Sequence, residues 1–408
     1  MTWHIITCEY PPQLGGVSDY TALVATGLAA AGDEVHVWCP AANGTGPAQP
    51  KTQSGPRVFV HRELGNFRIS DLRRVNGLLN KFVSPRRLLV QWVPHGYGYR
   101  SMNLLFCLWL WLRAVRRHDA VELMVHEPFL PFGGSLKQQG VAAMHRLMTI
   151  ILLNAADQVW TSTAAWAACL RPYALGRALS FSWLAVTSNI AVSEDAAATG
   201  IIRSGYATAG QHIVGHFGSY DRNTNELLLA YLPDILLAQP NRVALLLGQG
   251  SESMREELLQ RHHELAGRVH ATGMLQTTDL SLHLRACDLM LQPYIDGVSS
   301  RRSSAMVGLS HSLPIVTTVG ELTEPLWIES RAVATSAIGD GSALLESINR
   351  LLEDPEERIR LGKAGKALYQ DNFDLRHTIE ALRNAKRNDG TDSAHSHRHL
   401  EPAPDRRY

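Results

Sequence analysis

The chain has 408 residues, too many for one ordinary domain, and its 45% apolar and 19% charged residues are typical of globular proteins with a large core. Its 39 basic and 38 acidic side chains nearly balance, which argues against a protein that binds nucleic acid through its overall charge. The five cysteines are scattered through mostly apolar runs, so their spacing indicates neither a disulfide framework nor a metal site.

Short apolar runs alternate with helix-length segments along most of the sequence, a pattern that predicts β-α units and parallel sheets. In the first half the predicted strands are Trp3–Cys8, Val35–Cys39, Val58–His61, Leu88–Val93, Val121–Val125 and Gln158–Thr161. In the second half they are Ile213–Phe217, Val243–Leu247, Val269–Thr272, Leu289–Gln292, Ile315–Thr318 and Val333–Ser336.

Two α/β domains in tandem follow, at residues 1–195 and 205–375, with the small and polar residues 196–205 as their linker. We expect a C-terminal helix at 376–387 that packs back on the first domain, and a disordered, histidine-rich tail at 388–408. Because ligands of parallel sheets bind at the carboxyl ends of the strands, the expected site is a cleft between two facing sheets.

Two segments are relevant to whether the chain spans or lies on a membrane. The apolar run Leu104–Leu112 is too short to span a bilayer and predicts a buried helix. Residues 68–87 predict an amphipathic helix that either lies on an anionic membrane or packs its apolar side on the sheet. Its apolar side would hold Ile69, Leu72, Val75, Leu79 and Phe82, and its basic flank Arg73, Arg74, Lys81, Arg86 and Arg87.

The loop after the first strand, Glu9–Tyr20, contains Gly15-Gly16, which would let backbone approach a ligand, and Ser18 and Asp19, which could cap the next helix. A glycine turn without a ligand is the plain alternative. The loop lacks the Gly-x-Gly-x-x-Gly dinucleotide fingerprint, which argues against an NAD enzyme.

Other strand-end loops carry polar or glycine-rich groups. His126 and Glu127 end one predicted strand, and His95 and Tyr97 follow another, where they would either contact an acceptor or pack. In the second half, Leu247-Gly-Gln-Gly-Ser251 and Thr272-Gly-Met-Leu275 suit close approach of a nucleotide to backbone.

The stretch Asp296–Met306 predicts a helix that opens after a glycine turn with Ser299, Ser300, Arg301 and Arg302. Backbone N–H groups at a helix start and forked arginine donors suit a phosphate group. The alternative is a capped helix whose arginines are solvated or paired with a surface carboxylate.

Taken in order, several of these segments resemble glycosyltransferase family 4, the retaining nucleotide-sugar enzymes with two Rossmann-like parallel-sheet domains facing across a cleft (the GT-B fold). The resemblance extends to about Arg387. The segments that carry it are Pro-Pro-x-x-Gly-Gly-Val at 11–17, His-Glu-Pro-x-x-Pro at 126–131, Ala156-Asp-Gln-Val, Thr187-Ser-Asn-Ile190, Leu247-Gly-Gln-Gly, Ala286-Cys-Asp-Leu and Leu313-Pro-Ile-Val.

The resemblance implies a nucleotide-diphosphate sugar as donor, bound mainly by the second domain, a hydroxyl acceptor bound mainly by the first, and no metal cofactor. By the resemblance, His126 would contact the donor sugar, Gly15 and Gly16 would approach the diphosphate, and Gly248, Met274 and Leu275 would flank the nucleotide. From their loop positions we add Arg301 and Arg302 as catalytic residues and Gln249, Asp296, Ser299 and Ser300 as donor-binding residues. On the acceptor side we place Asp19, Tyr20, His95 and Tyr97.

The chain departs from the family at two places. The family's two glutamates, eight residues apart, fall on Ser299 and Val307, or on Asp296 and Ser304 if a gap is allowed, so the second glutamate is missing. The usual Arg and Lys after the first strand of the second domain are also absent, because Gly218–Asn225 offers only Arg222. We therefore expect Arg301 and Arg302 to supply the positive charge against the leaving diphosphate.

The leading interpretation is a retaining glycosyltransferase in glycan, polysaccharide or glycolipid biosynthesis. Two alternatives stay open: a sugar-nucleotide epimerase of the same fold, and a catalytically degenerate sugar-nucleotide-binding protein. Because Met1–Thr7 leads directly into a strand with no basic segment ahead of it, we expect a cytoplasmic protein, in contact with the inner face of the membrane if residues 68–87 bind lipid. No nucleic-acid partner is expected.

Overall fold

The computed structural model describes residues 1–41, 52–55, 57–98 and 101–385, with backbone alone at 52–55. The predicted tail at 388–408 and the last residues of the predicted helix at 376–387 lie outside these described residues. The chain divides into two compact units: unit 1 comprises Met1–Ala185 and the segment that begins at Leu375, and unit 2 comprises Val186–Asp374.

Unit 1 is built on one eight-stranded sheet with the order β3-β4-β2-β1-β5-β6-β7-β8. Its strands are β1 (Thr2–Ile6), β2 (Glu34–Trp38), β3 (Thr52–Gly55), β4 (Val58–His61), β5 (Arg87–Trp92), β6 (Ala120–Val125), β7 (Gln158–Thr161) and β8 (Ser180–Trp183). All neighbours are parallel except β3, which runs antiparallel to β4. The inner strands are almost wholly apolar because helices cover both faces of a parallel sheet.

The helices of unit 1 are α1 (Gly16–Ala30), α2 (Ile69–Leu79), α3 (Leu104–Arg117), α4 (Leu136–Ala155), α5 (Ala164–Leu170) and α14 (Leu375–Asn384). The crossovers β4–α2–β5, β5–α3–β6 and β6–α4–β7 advance in the same direction along the sheet. Right-handed connections therefore place α2, α3 and α4 on one face, and their inner side chains share one core with the sheet.

The C-terminal helix α14 packs on α1 within unit 1. A side chain at Gly27 would come within 2.7 Å of the Ile379 side chain, so the glycine lets the two helices approach closely. The Arg87 guanidinium donates to the Leu382 carbonyl at 2.5 Å, which holds the last turn of α14 against the sheet.

Unit 2 is built on a six-stranded, all-parallel sheet with the order β11-β10-β9-β12-β13-β14. Its strands are β9 (His212–Phe217), β10 (Arg242–Leu247), β11 (Val269–Ala271), β12 (Leu289–Gln292), β13 (Ile315–Val319) and β14 (Ala334–Ala337). Its helices are α6 (Ala196–Tyr206), α7 (Arg222–Leu237), α8 (Ser251–Arg261), α9 (Thr277–Arg285), α10 (Ser303–Ser310), α11 (Pro325–Glu329), α12 (Gly341–Glu353) and α13 (Pro355–Asn372).

Every apolar run predicted as a strand overlaps one, and the prediction of two parallel-sheet α/β units is confirmed. The sequence pattern missed β3 and β8, which are short and polar. The expected linker at 196–205 is instead helix α6. The Asp195 carboxylate caps this helix by accepting from Ala198 N at 2.9 Å, and the helix packs on α9.

The prediction that Leu104–Leu112 forms a helix is confirmed, but the prediction that this helix is buried holds for one side only. The run forms α3, and Phe106, Cys107 and Leu110 are buried, but its other side exposes large apolar side chains. Among the described residues, no helix is both long enough and apolar enough to cross a membrane.

Candidate functional site

The strongest polar constellation of unit 1 forms where β5 and β6 end. His126 follows the last residue of β6, and its backbone N–H donates to the Trp92 carbonyl at 3.0 Å, continuing the ladder by one step. Its ring Nε2 lies 2.8 Å from Gln91 Oε1, on the neighbouring strand. With the proton on Nε2, the Nδ1 atom of His126 carries the lone pair and is an acceptor.

The environment keeps the His126 ring neutral. Burial lowers its pKa from 6.5 to about 4, so the imidazole carries no charge at neutral pH. Tyr20, only 3% exposed, packs edge-on against the ring at 5.0 Å between centroids. Tyr20 therefore supports His126 from inside unit 1, and its predicted contact with an acceptor stays a prediction.

The glycine loop ahead of α1 holds a carboxylate of its own. The Glu9 Oε1 atom accepts from Ser18 N at 2.9 Å, in the first turn of α1. A Cβ at Gly15 would collide with this carboxylate, whereas a Cβ at Gly16 would meet no atom within 4 Å. Glu9 thus occupies part of the helix start predicted for the donor, and Gly16 borders open space. Asp19 lies half-buried in the same first turn.

The two candidate residues that follow β5, His95 and Tyr97, differ in their exposure. His95 is exposed, and its Nδ1 lies 3.4 Å from Glu127 Oε2, so the ends of β5 and β6 carry an exposed histidine–carboxylate pair. Tyr97 is fully buried, and its hydroxyl donates to the Gln91 carbonyl at 2.7 Å. Of the two alternatives for Tyr97, the structure shows packing, because the side chain is part of the core.

In unit 2, the loops after β9 and β10 touch each other at Gly248. This glycine has φ +110°, and a Cβ there would come within 2.5 Å of the Gly218 carbonyl oxygen. The turn therefore requires glycine for its own geometry. Gln249 and Met274 are exposed at the same edge of the sheet, and Leu275 is half-buried.

The turn after β12 is a three-residue charge cluster. The Asp296 carboxylate pairs with the guanidinium groups of both Arg301 and Arg302. Burial alone would raise the pKa of Asp296, but Arg302 and Arg301 lower it below its usual value. The Arg302 guanidinium also stacks over the Tyr294 ring, 4.7 Å from its centroid.

The helix predicted to open at Ser299 begins later, at Ser303, and residues 299–302 form an irregular turn. Ser300 is bound by Glu324, a buried carboxylate that follows β13. Its N–H donates to Glu324 Oε2 at 3.1 Å and its hydroxyl donates to Oε1. Trp327 Nε1 donates to the same carboxylate at 3.0 Å. The N–H and hydroxyl of Ser300 therefore already donate to a carboxylate, and the phosphate contact predicted for Ser300 stays a prediction that would require these donors to leave Glu324.

Within this turn, the Ser299 hydroxyl and Arg302 Nε are buried and have no hydrogen-bond partner among the described residues. They belong to one turn, since Arg302 N donates to the Ser299 carbonyl at 3.0 Å. Close by, the hydroxyls of Tyr294 and Ser304 lie 2.8 Å apart, and burial raises the pKa of Tyr294 to about 12. Ser304 is one of the two positions at which the second family glutamate was expected.

Sequence reasoning missed three residues that organise these sites: Gln91, Glu9 and Glu324. Gln91 is a fully buried polar residue in an apolar strand, and that conflict was the signal available in the sequence. Glu9 and Glu324 gave no comparable signal because carboxylates in loops are common. Their partners lie 9 and 24 residues away in sequence.

The apolar side of the helix in segment 68–87 packs inside unit 1. Leu72, Val75 and Leu79 of α2 are buried in the core. Arg86 and Arg87 of the expected basic flank are also nearly buried, paired with Asp119 and Glu122 respectively. The alternative in which this helix packs on the sheet is the one that the structure shows.

No group of three or more histidine, cysteine, aspartate or glutamate side chains within the described residues is placed to hold a metal ion.

Comparison with known families gives one match. Residues 211–354, all within unit 2, match the family model described as "Glycosyl transferases group 1". No curated protein matches the sequence at a significant level.

Solved structures of similar fold cover 94% of the chain. They include sucrose-phosphate synthase from Thermosynechococcus elongatus, with 18% identity, a TM-score of 0.73 and 97% of its own chain covered. Others are HepE of Anabaena in complex with UDP and glucose, with 15% identity, a TM-score of 0.65 and 98% covered, and WaaG, a glycosyltransferase involved in lipopolysaccharide biosynthesis, with 15% identity, a TM-score of 0.62 and 98% covered. The chain thus has the GT-B fold that its sequence predicted.

Proposed function

We propose that the chain is a glycosyltransferase that moves a sugar from a nucleotide-diphosphate sugar to a hydroxyl acceptor, as in glycosyltransferase family 4, with retention of configuration and without a metal ion. The observation that carries the proposal is the match of unit 2 to the group 1 glycosyltransferase family. We assign the donor mainly to unit 2 and the acceptor mainly to unit 1. The route served would be glycan, polysaccharide or glycolipid biosynthesis.

A uridine nucleotide is the first donor to test. A structure of HepE, 16% identical and similar over 94% of the chain, is described as a complex with UDP-glucose. The sheet edge that contains Gly248, Gln249, Met274 and Leu275 in unit 2, where Gln249 and Met274 are exposed, would border the nucleotide. Gly15 and Gly16 would approach the diphosphate from the start of α1.

The charge cluster of unit 2 would bind the diphosphate. Two guanidinium groups face one carboxylate, so Asp296, Arg301 and Arg302 together keep one net positive charge. The Ser299 hydroxyl and Arg302 Nε add buried donors that lack partners among the described residues. Such preformed donors stabilise the charge that develops on a departing phosphate.

We assign His126 a contact with the transferred sugar. Because its Nε2–H is directed to Gln91 Oε1, the Nδ1 lone pair can accept a sugar hydroxyl. In the proposed step the bond from the anomeric carbon to the phosphate oxygen breaks and one to the acceptor oxygen forms. The acceptor proton passes to the departing phosphate oxygen, so no side-chain nucleophile is required.

A second candidate is a protein that binds sugar nucleotides without turnover. It is favoured by Ser304, whose hydroxyl is already hydrogen-bonded to Tyr294 at 2.8 Å where a ribose-binding carboxylate was expected. Under this alternative the charge cluster would still bind diphosphate, but no transfer or hydrolysis would follow.

The two candidates separate in a combined binding and turnover experiment. We expect UDP or another nucleoside diphosphate to raise the melting temperature, because ligand binding to the folded state stabilises it. Released nucleotide is then measured with a panel of sugar nucleotides and hydroxyl acceptors. Stabilisation without turnover supports the binding protein, and neither effect with any nucleotide contradicts both.

The role of the charge cluster is tested by Arg302→Ala. Loss of a donor aimed at the departing phosphate should reduce turnover about 100-fold. The matched control is Arg222→Ala, an arginine of unit 2 whose side chain is 90% exposed and pairs with Glu226. If Arg302→Ala keeps both nucleotide affinity and turnover, the cluster does not bind the donor.

A further inference from the structure

The outer side of α3 carries an uninterrupted apolar stripe. Leu105, Leu108, Leu112 and Val115 are 37–51% exposed, with Trp111 beside them at 37%. Their spacing of three and four residues places them on one side of the helix, opposite the buried Phe106, Leu110 and Arg113. The stripe from Leu105 to Val115 is about 15 Å long at 1.5 Å per residue. Isolated exposed leucines are common, but a contiguous row is not.

Helix α4, which packs beside α3 on the same face of the sheet, continues this surface. Leu136 is 86% exposed and Leu147 is 42% exposed, with Gly140 and Ala143 at the same helical spacing between them. In the loop that leads into α4, Phe132 is 58% exposed. We call the exposed side of α3, α4 and this loop the α3–α4 surface.

Basic groups border the apolar stripe of α3 at its C-terminal end. Arg116 and Arg117 are exposed in the last turn. The loop after α2 reaches the same place, because the Ser84 hydroxyl donates to the Arg117 carbonyl at 3.2 Å. That loop brings the exposed Lys81 and Val83, the latter 89% exposed.

The α3–α4 surface also lacks negative charge. Neither α3 nor α4 contains an aspartate or glutamate, and none occurs from residue 128 to residue 156. Of the acidic side chains that flank these helices in sequence, Asp119 and Glu122 are buried in ion pairs, and Glu127 faces His95. Asp157, exposed just after α4, accepts from the Val121 backbone N–H at 3.0 Å.

We propose that the α3–α4 surface docks on an anionic lipid bilayer, with the apolar stripe among the acyl chains and the basic cluster at the headgroups. An apolar face bordered by cations and free of anions suits such a bilayer, which is apolar inside and negative at its surface. A second copy of the chain fits less well, since an isologous contact uses the same surface twice and this surface offers no carboxylate to pair with the basic cluster. The proposal does not depend on the transferase activity.

The test uses the full chain and vesicles. The protein should float with vesicles containing about 30% phosphatidylglycerol at low salt, and binding to neutral phosphatidylcholine vesicles should be at least about ten-fold weaker. Raising the salt to about 0.5 M should release most of the bound protein, because the headgroup attraction is screened. Absence of binding to the anionic vesicles at low salt overturns the proposal.

Two double variants separate the apolar and basic contributions. Leu108→Ser with Leu112→Ser should weaken vesicle binding about ten-fold or more by removing apolar side chains that enter the bilayer. The matched control is Ile328→Ser with Ile359→Ser, which removes two apolar side chains of unit 2 that are 55% and 58% exposed. Equal losses in both double variants would contradict the assigned surface.

The basic cluster is tested by Arg116→Gln with Arg117→Gln, which should remove most of the preference for anionic vesicles and leave weak binding to neutral ones. Arg222→Gln with Arg261→Gln, at exposed arginines of unit 2, is the control and should retain the preference. An unchanged preference in the α3 variant contradicts the role of the cluster.

Tryptophan fluorescence reports contact between α3 and the bilayer directly. On anionic vesicles the tryptophan emission should shift to shorter wavelength, and Trp111→Phe should remove most of this shift although eight of the nine tryptophans remain. Light scattering of the protein without vesicles tests whether a second copy of the chain, rather than lipid, covers the α3–α4 surface. A dimer in solution that the Leu108→Ser, Leu112→Ser variant dissociates would replace the lipid proposal with self-association.

Discussion

At the scale of single residues, the turn after β12 shows how much a local pattern can predict. The pattern of serines and arginines correctly drew attention to a charged strand end, but it did not reveal which carboxylates those residues bind. Asp296 pairs with both arginines, and Glu324 takes both donors of Ser300. Side-chain pairing depends on how β12 and β13 lie side by side, which periodicity does not specify.

Glu324 is the buried residue of this region whose loss should cost most stability. Its carboxylate accepts from Ser300 N, Ser300 Oγ and Trp327 Nε1, and it is 7% exposed. Glu324→Ala leaves these donors without their acceptor, and each hydrogen bond to a buried charge contributes about 1.5–3 kcal/mol. We expect the free energy of unfolding to fall by about 5 kcal/mol in urea denaturation, near the lower end of the sum for three such bonds.

The control for this prediction is Glu321→Ala, three residues earlier and exposed. It removes a carboxylate of the same loop without removing a buried acceptor, so its effect should stay within about 0.5 kcal/mol. Similar effects of the two substitutions would mean that the Glu324 contacts contribute little.

At the scale of elements, strands were predictable and helix starts were not. Parallel strands buried on both faces are continuous apolar runs, and each such run was found. Helix starts depend on single capping contacts. The Asp195 cap begins α6 in a segment whose composition suggested a linker. Serine also favours capping positions, yet neither Ser299 nor Ser300 begins α10. The polar strand β8 joins the sheet through pairing with β7 and had no apolar signal.

Gly248 shows the same dependence on neighbouring elements, and it yields a prediction. Its φ of +110° and the 2.5 Å approach of a Cβ to the Gly218 carbonyl both oppose any side chain. Gly248→Ala should lower the free energy of unfolding by about 3 kcal/mol, of which about 1 kcal/mol comes from the positive φ. The rest comes from displacing the Gly218 loop, and chemical denaturation measures the sum.

Gly339→Ala is the matched control within unit 2. Gly339 has φ +86°, and a Cβ there would meet nothing within 4 Å. It should therefore show the backbone cost alone, about 1 kcal/mol. If the two alanine variants are equally stable, the close approach of the β9 and β10 loops is not what requires glycine at Gly248.

At the scale of the whole molecule, the net charge is close to zero, but the interior contains histidines whose burial makes the stability of the fold sensitive to acid. Burial lowers the pKa of His4 to about 3, with the positive charges nearby adding to the effect, and burial lowers those of His126 and His216 to about 4. The hydrogen bonds agree with neutral rings. Trp38 Nε1 donates to His4 Nδ1 at 3.3 Å, which requires that nitrogen to be unprotonated. His216 Nδ1 donates to the Leu291 carbonyl at 2.8 Å, and its Nε2 is buried without a hydrogen-bond partner among the described residues, as expected for the unprotonated nitrogen of a neutral ring.

These pKa values set the sign and range of the pH dependence. Between about pH 6.5 and 4 the unfolded chain binds protons at these histidines and the folded chain does not, so unfolding gains protons. The stability is fully present above pH 6.5 and is lost as the pH falls. Each histidine contributes about 1.4 kcal/mol per pH unit near pH 5, and the three together about 4 kcal/mol per pH unit.

Urea denaturation at a series of pH values from 7.5 to about 4.5 measures this slope. His216→Asn keeps a donor for the Leu291 carbonyl but cannot titrate, so it should reduce the slope by about 1.4 kcal/mol per pH unit. His263→Asn removes an imidazole that is 95% exposed and should leave the slope as it is. A stability that stays level down to pH 4.5 would mean that the buried histidines are protonated in the fold. Nδ1 of His126 would then also be protonated and could not accept a hydrogen bond from the sugar.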